Sequence, residues 1–166
     1  RTSQKGAWVS GFFGSGKSHF LKMLSYLLQN REVNGVRTVE RFRHKPELAD
    51  DPATFMLIDR ATRSGHTDTI LFNIDIEGSI NKDKTAVLRV FAKMFYTYLG
   101  YYGENLKVAK LEQFIDRKGK TAEFRRVFEE KNGAPWVESR DAYAFFEDDI
   151  VATLMEVLGM SEQAAT

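Results

Sequence analysis

Residues 11–18 read Gly11-Phe12-Phe13-Gly14-Ser15-Gly16-Lys17-Ser18 and fit the phosphate-binding pattern G-x-x-x-x-G-K-[ST]. Upstream, residues 7–10 (Ala-Trp-Val-Ser) are mostly apolar and predict a short strand. Downstream, apolar residues recur at helical spacing through about Asn30, namely Phe20, Leu21, Leu24, Leu27 and Leu28. The pattern requires a strand, a glycine-rich loop and a helix in this order. The stretch therefore predicts a loop that holds the phosphates of a nucleotide.

The residue types in the loop suit this chemistry. Backbone amides converge on an anion only where the chain adopts conformations that β-carbons disfavour, and Gly14 and Gly16 permit them. The helix that begins near Gly16 directs its free N–H groups and its positive dipole end toward the same anion. We expect Lys17 to reach the β- and γ-phosphates of ATP and the Ser18 hydroxyl to ligate Mg²⁺. The predicted cofactor-binding set is Gly11, Phe12, Phe13, Gly14, Ser15, Gly16, Lys17, Ser18 and His19.

Three side chains of this set carry no phosphate chemistry of their own. We expect Phe12 and Phe13 to pack the loop against neighbouring structure, with stacking on a base as the alternative. For His19 we favour a ring that is in solvent or hydrogen-bonded within the protein over a catalytic role.

Composition limits the class of protein. With 166 residues, 43% of them hydrophobic, the chain can bury one good-sized core. No run is apolar enough to span a bilayer, and cysteine is absent, which suits a cytoplasmic protein. The 24 Lys and Arg balance 23 Asp and Glu, so net charge gives no reason for nucleic-acid binding. A local basic cluster (Arg37, Arg41, Arg43, His44, Lys45) favours a solvated connecting segment over a nucleic-acid contact.

Between the first helix and residue 78, the sequence contains patterns typical of a turn, a helix and a strand. Asn34-Gly35 predicts a turn, with a short strand around residues 36–42. Asp51-Pro52 is typical of a helix start, so we expect a helix from Pro52 to about Arg63, although residues 55–59 also resemble a buried strand. Residues 69–77 form the best strand pattern, and we expect that strand to run parallel to the strand at 7–11.

The second half reads as helices. We expect one after Asp83 that ends at Gly100 or Gly103, then helices at about 104–117 and 121–131 and a last helix at about 139–158.

A nucleotide-loop ATPase needs a further acid at a strand end to hold Mg²⁺ through water. Asp75 and Glu77 lie near the end of the predicted strand at 69–77 and are the candidate catalytic acids. The alternative is an acid located beyond Thr166. The sequence begins at Arg1, a few residues before the loop, so we expect a segment of a longer chain.

Residues 8–30, and less strongly residues 68–75, resemble the large P-loop ATPase of BREX bacteriophage-defence systems, the BrxC-like family. The resemblance implies ATP binding and hydrolysis with other BREX-system proteins, and with DNA through that complex. It also implies that the metal-organising acid lies well downstream of Asp75. Oligomerisation stays open, and no membrane partner is expected.

Taken together, these patterns predict an α/β fold with an incomplete three-layer P-loop NTPase core and a helix-rich C-terminal half, and the resemblance to the BREX ATPase implies a core similar to the AAA+ and origin-recognition type. Residues 1–166 would form one domain fragment, with the nucleotide loop in 1–80 and the helical part in 81–166. Two other functions remain open, a small-molecule phosphotransferase and a non-hydrolysing nucleotide-gated scaffold.

Overall fold

The computed structural model describes residues 6–73 and 85–165 of the chain. Its contacts divide the chain into two compact units, Arg1–Leu71 and Phe72–Thr166. The described part of the first unit contains helix α1 (Lys17–Gln29), strands β1 (Glu32–Val33) and β2 (Val36–Arg37), and helices α2 (Thr38–Arg43), α3 (Pro46–Ala49) and α4 (Pro52–Arg63).

The hairpin follows α1 directly and is fixed by two asparagines. Asn30 ends α1 in the left-handed conformation, and its Oδ1 accepts a hydrogen bond from Val39 N at 3.0 Å. Asn34 and Gly35 have φ angles of 54° and 75°, typical of the type I′ turn that joins antiparallel strands. The predicted turn is therefore confirmed, while most of the strand expected at residues 36–42 is helix α2.

Helix α4 begins as the sequence predicts. Asp51 Oδ1 accepts a hydrogen bond from Thr54 N at 3.0 Å, and Pro52 occupies the first helical position. The helix prediction for residues 52–63 is confirmed over the strand alternative. Helices α1 and α2 both pack against α4, which places the buried Leu27 and Val39 in the interior of this unit.

The described part of the second unit is helical. Its elements are α5 (Ala86–Tyr98), α6 (Leu106–Arg117), α7 (Thr121–Asn132), α8 (Trp136–Ser139), a 3₁₀ segment (Arg140–Phe145), α9 (Glu147–Leu158) and α10 (Glu162–Ala165). Trp136 lies at the centre, with its ring edge-on to Phe124 at 5.3 Å and to Phe128 at 5.1 Å between centroids. Around these rings pack Val108, Ile115, Val127, Ile150, Leu154 and Val157.

The last helix was predicted at residues 139–158, and this prediction is wrong for about the first third of that range. The chain forms a 3₁₀ segment that leaves helical geometry at Ala142, and a regular helix starts only at Glu147. The break lets Tyr143 and Phe146 pack against the core while Asp141 accepts a hydrogen bond from the Tyr102 hydroxyl. Long-range contacts thus outweigh a helical apolar spacing.

The predicted three-layer α/β core is wrong. Where the structure describes the chain, its sheet has two short antiparallel strands, and residues 7–11 and 69–73 are not strands. A strand is stable only when neighbouring strands satisfy its backbone groups, and an apolar pattern does not supply them. Residues 74–77 of the second predicted strand lie outside the described residues. Among the described residues, no strand pair corresponds to the predicted parallel pairing of 7–11 with 69–77.

Among the described helices, none is both long and apolar enough to cross a membrane.

Candidate phosphate-binding site

The phosphate loop begins with a tight turn. Ser15 N donates a hydrogen bond to Phe12 O at 3.2 Å, and Gly14, the third residue of the turn, has a φ of 79°. A positive φ at that position is the requirement of a type II turn, which glycine meets without strain. The turn reverses the chain just before α1.

Gly16 connects this turn to the helix. It has φ 82° and ψ 12°, and the first helical hydrogen bond runs from Phe20 N to Gly16 O at 2.8 Å. The amides of residues 17–19 precede that bond and have no carbonyl partner within the helix. In the described part of the chain no side chain caps this helix, and its first turn carries no acid. The exposed N-terminus of α1 is therefore electropositive and open to an anion.

Lys17 folds back over the loop. Its Nζ donates to Gly11 O at 2.8 Å, to Phe12 O at 2.7 Å and to Ser15 Oγ at 3.3 Å. An ammonium carries three N–H donors, so these three acceptors match its capacity. The loop thus holds a positive charge beside the amides of the helix start.

The remaining side chains of the predicted set are exposed. Ser18 and His19 lie on the first turn of α1 with exposed side chains. Phe12 and Phe13 are almost fully exposed, so the prediction that they pack the loop against neighbouring structure is wrong. The stacking alternative stays a prediction.

The candidate acids Asp75 and Glu77 lie outside the described residues, so their distance from Ser18 is not defined. Within residues 6–73 and 85–165 no group of three or more His, Cys, Asp or Glu side chains could hold a metal ion.

The basic cluster after the hairpin makes local contacts. Arg41 Nη2 donates to Val33 O at 2.6 Å, and Arg43 pairs with Glu40 at 3.5 Å and lies 4.8 Å from the centre of the Phe55 ring. Arg41 and Arg43 thus have partners within the first unit, and the choice between a connecting segment and a nucleic-acid contact stays a prediction.

Sequence reasoning missed a buried carboxylate in the second unit. Glu112 accepts hydrogen bonds from Tyr102 N at 2.6 Å, Trp136 Nε1 at 2.8 Å and Arg140 Nη1 at 2.9 Å. Its partners lie 10, 24 and 28 residues away, so no local pattern signals them. Because three donors satisfy this carboxylate, it links the helices of the unit and has little capacity left for a ligand.

No protein-family model matches the sequence, and no solved structure matches the chain.

Proposed function

We propose that the loop at residues 11–18 binds the β-phosphate of ATP and that the protein acts as an ATPase. One observation carries the proposal: the Lys17 ammonium lies on the loop carbonyls beside the uncapped N-terminus of α1. A phosphate there would meet a positive charge and free amides together. This combination is the chemistry that nucleotide-phosphate loops use.

The contribution of Lys17 follows from its charge. A hydrogen bond from an ammonium to a phosphate oxygen contributes about 1.5–3 kcal/mol, roughly twice a neutral one. The glycines contribute geometry, since Gly14 and Gly16 hold left-handed backbone angles that other residues adopt only with strain. The proposal therefore rests on the loop and the start of α1, since residues 7–11 are not the strand that the pattern requires.

In this proposal the Ser18 hydroxyl would help to hold Mg²⁺, which would neutralise phosphate charge. Mg²⁺ keeps several waters and needs few protein ligands, so a single hydroxyl with the phosphates suits it. We assign the acid that would orient the waters around Mg²⁺ either to Asp75 or Glu77 or to a position beyond Thr166. The resemblance to the BREX ATPase implies the second of these positions.

The wider role rests on that resemblance alone. We propose that the chain is the nucleotide-binding part of a BREX-type ATPase that works in the cytoplasm with other proteins of that system and, through them, with DNA. Phosphotransfer to a small molecule and nucleotide-gated scaffolding remain the competing functions.

The test measures Mg-ATP binding by calorimetry to the unmodified chain, Lys17→Ala and Lys22→Ala. We expect Lys17→Ala to weaken binding roughly tenfold to a hundredfold, since each 1.36 kcal/mol is a factor of ten. Lys22 is the matched control: it lies on the same helix, is exposed, and has its Nζ 5.9 Å from the centre of the Tyr26 ring. Its substitution should change affinity less than about twofold, because exposed surface charges interact weakly. Unchanged affinity in Lys17→Ala would contradict the assignment.

Phosphate release separates the competing functions. Release without an added acceptor supports an ATPase, and release or transfer only with an acceptor supports a phosphotransferase. Binding without turnover in either condition supports a scaffold.

A further inference from the structure

Ser15 supplies the third acceptor of the Lys17 ammonium. The other two acceptors, Gly11 O and Phe12 O, belong to the backbone, so the Ser15 hydroxyl is the side-chain member of the set. Ser15 also closes the turn through its own amide. One residue therefore fixes both the path of the loop and one side of the ammonium.

Gly11 differs from the other two glycines of the loop. Its φ lies outside the left-handed range, whereas Gly14 and Gly16 have φ angles of 79° and 82°. Backbone conformation therefore does not explain why residue 11 is glycine. A β-carbon at residue 11 would lie 2.7 Å from Ser15 Oγ, closer than real β-carbon contacts.

We propose that Ser15 is a positioning residue for the Lys17 ammonium, and that residue 11 is glycine because the Ser15 hydroxyl occupies the space beside its α-carbon. This inference rests on the proposed phosphate-binding role of the loop. A methyl group at residue 11 would turn the hydroxyl away and remove its contact with Lys17 Nζ. The same contact is lost when Ser15 itself is changed to alanine.

The contact matters because lysine has a long, flexible side chain. An arriving phosphate must replace one of the three acceptors, and the Ser15 hydroxyl is the most distant of them at 3.3 Å. An ammonium that the loop already holds in place loses little freedom in this exchange, and this preorganisation increases affinity. Loss of the hydroxyl leaves Nζ with two acceptors and a wider range of positions.

The first measurement needs no nucleotide. The rate at which the Lys17 ammonium protons exchange with water can be measured by ¹⁵N NMR, with the signal assigned by its loss in Lys17→Arg. We expect exchange several-fold faster in Ser15→Ala and in Gly11→Ala, and slow exchange again in Ser15→Thr, which keeps the hydroxyl. The Lys22 signal should not change. Equal Lys17 exchange rates in the unmodified chain and in Ser15→Ala would overturn the proposal.

The second measurement is a double-mutant cycle of Mg-ATP affinity. Ser15→Ala and Gly11→Ala should each weaken binding about three- to tenfold, the range expected for ordering one flexible side chain. The double variant should bind as Ser15→Ala does. Without the hydroxyl, a β-carbon at residue 11 has its nearest neighbours at 3.4 Å and 3.8 Å, which is ordinary contact. Additive losses would contradict a shared cause.

Gly14→Ala is the matched comparison, since a β-carbon there meets nothing within 4 Å but requires a φ of 79°. Its loss of affinity should persist in the Ser15→Ala background, and rescue there would count against the proposal. If the exchange rates change as expected but no variant binds ATP, the proposed function fails and the positioning role of Ser15 is supported.

Discussion

The two tryptophans show how differently the two units use apolar residues. Trp8, three residues before the phosphate loop, is 92% exposed, whereas Trp136 in the second unit is 1% exposed. In the described part of the first unit the buried apolar side chains are Leu27 and Val39, while the described part of the second unit buries a cluster of nine that includes Trp136. The second unit therefore has a core of its own, and the first has little of one.

The difference agrees with the proposed role of the phosphate loop. In the proposed function the amides at the start of α1 stay free of internal partners to meet an anion, and residues 11–16 beside them are exposed. Where the structure describes the chain, no buried side-chain nitrogen or oxygen lacks a hydrogen-bond partner, and in the second unit three donors satisfy the buried Glu112 carboxylate. Ligand chemistry is expected in the first unit and folding stability in the second.

The largest expected effect is the loss of the central ring of the second unit. Trp136→Ala should lower the free energy of unfolding by about 3–5 kcal/mol, because it leaves a cavity between Phe124 and Phe128 and removes a donor from Glu112. Urea denaturation followed by circular dichroism measures the change. Val137→Ala is the control, since the Val137 side chain is 49% exposed. A loss below about 1 kcal/mol in Trp136→Ala would mean that the unit lacks the core described here.

The next largest effect concerns the buried carboxylate. Glu112→Gln should destabilise the second unit by about 1.5–3 kcal/mol, since it replaces one of two acceptor oxygens with an NH₂ donor and leaves the Arg140 guanidinium without the negative charge of its partner. Trp136 fluorescence in a Trp8→Phe background reports on this unit during urea denaturation. Glu130→Gln is the control, because Glu130 pairs with Arg126 at an exposed site and should change stability by less than about 0.5 kcal/mol.

Local signals in the sequence predicted several elements correctly. The Asp51-Pro52 start of α4, the Asn34-Gly35 turn and the end of α7 at Gly133 each depend on residues within a few positions. The strand at residues 7–11 and the break before Glu147 depend on partners distant in the chain. Asp141, for example, accepts its hydrogen bond from a tyrosine 39 residues away. Periodicity carries no information about such partners, so these predictions were wrong.

For the candidate site, the motif predicted which residues form the loop but not how they contact one another. The contact between Gly11 and Ser15 depends on three-dimensional proximity that the pattern G-x-x-x-x-G-K-[ST] does not encode. The exposure of Phe12 and Phe13 was missed because the prediction followed a general tendency: large aromatic residues are usually buried.

A smaller effect should appear at alkaline pH. The hydrogen bond from the Tyr102 hydroxyl to the Asp141 carboxylate, with burial, raises the pKa of Tyr102 from 10.0 to about 12. The folded state thus favours the neutral phenol, so this stabilisation is present below pH 10 and is lost as the pH rises through about 12.

Tyr102→Phe tests this assignment. It should cost about 0.5–1.5 kcal/mol at neutral pH and give a shallower loss of stability between pH 10 and 12 than the unmodified chain. Asp141→Asn should make that loss shallower as well, because it removes the main cause of the shift. Denaturation midpoints at several pH values measure both variants. Parallel stability curves for Tyr102→Phe and the unmodified chain would contradict the assignment.

The smallest expected effect lies in the phosphate loop. Phe13→Ala should change the free energy of unfolding by less than about 0.5 kcal/mol, because the Phe13 ring is almost fully exposed and its removal leaves no cavity. Phe128→Ala is the matched substitution in the second unit, where the fully buried ring stacks 6.1 Å from that of Phe124, and there the cost should reach about 3–5 kcal/mol. Urea denaturation of both variants measures the contrast directly. A cost above about 2 kcal/mol for Phe13→Ala would show that the ring is covered in solution, since exposed substitutions do not destabilise by that amount. Because Phe13 lies two residues before Ser15, an uncovered ring also leaves the loop accessible to the nucleotide that the proposed function requires.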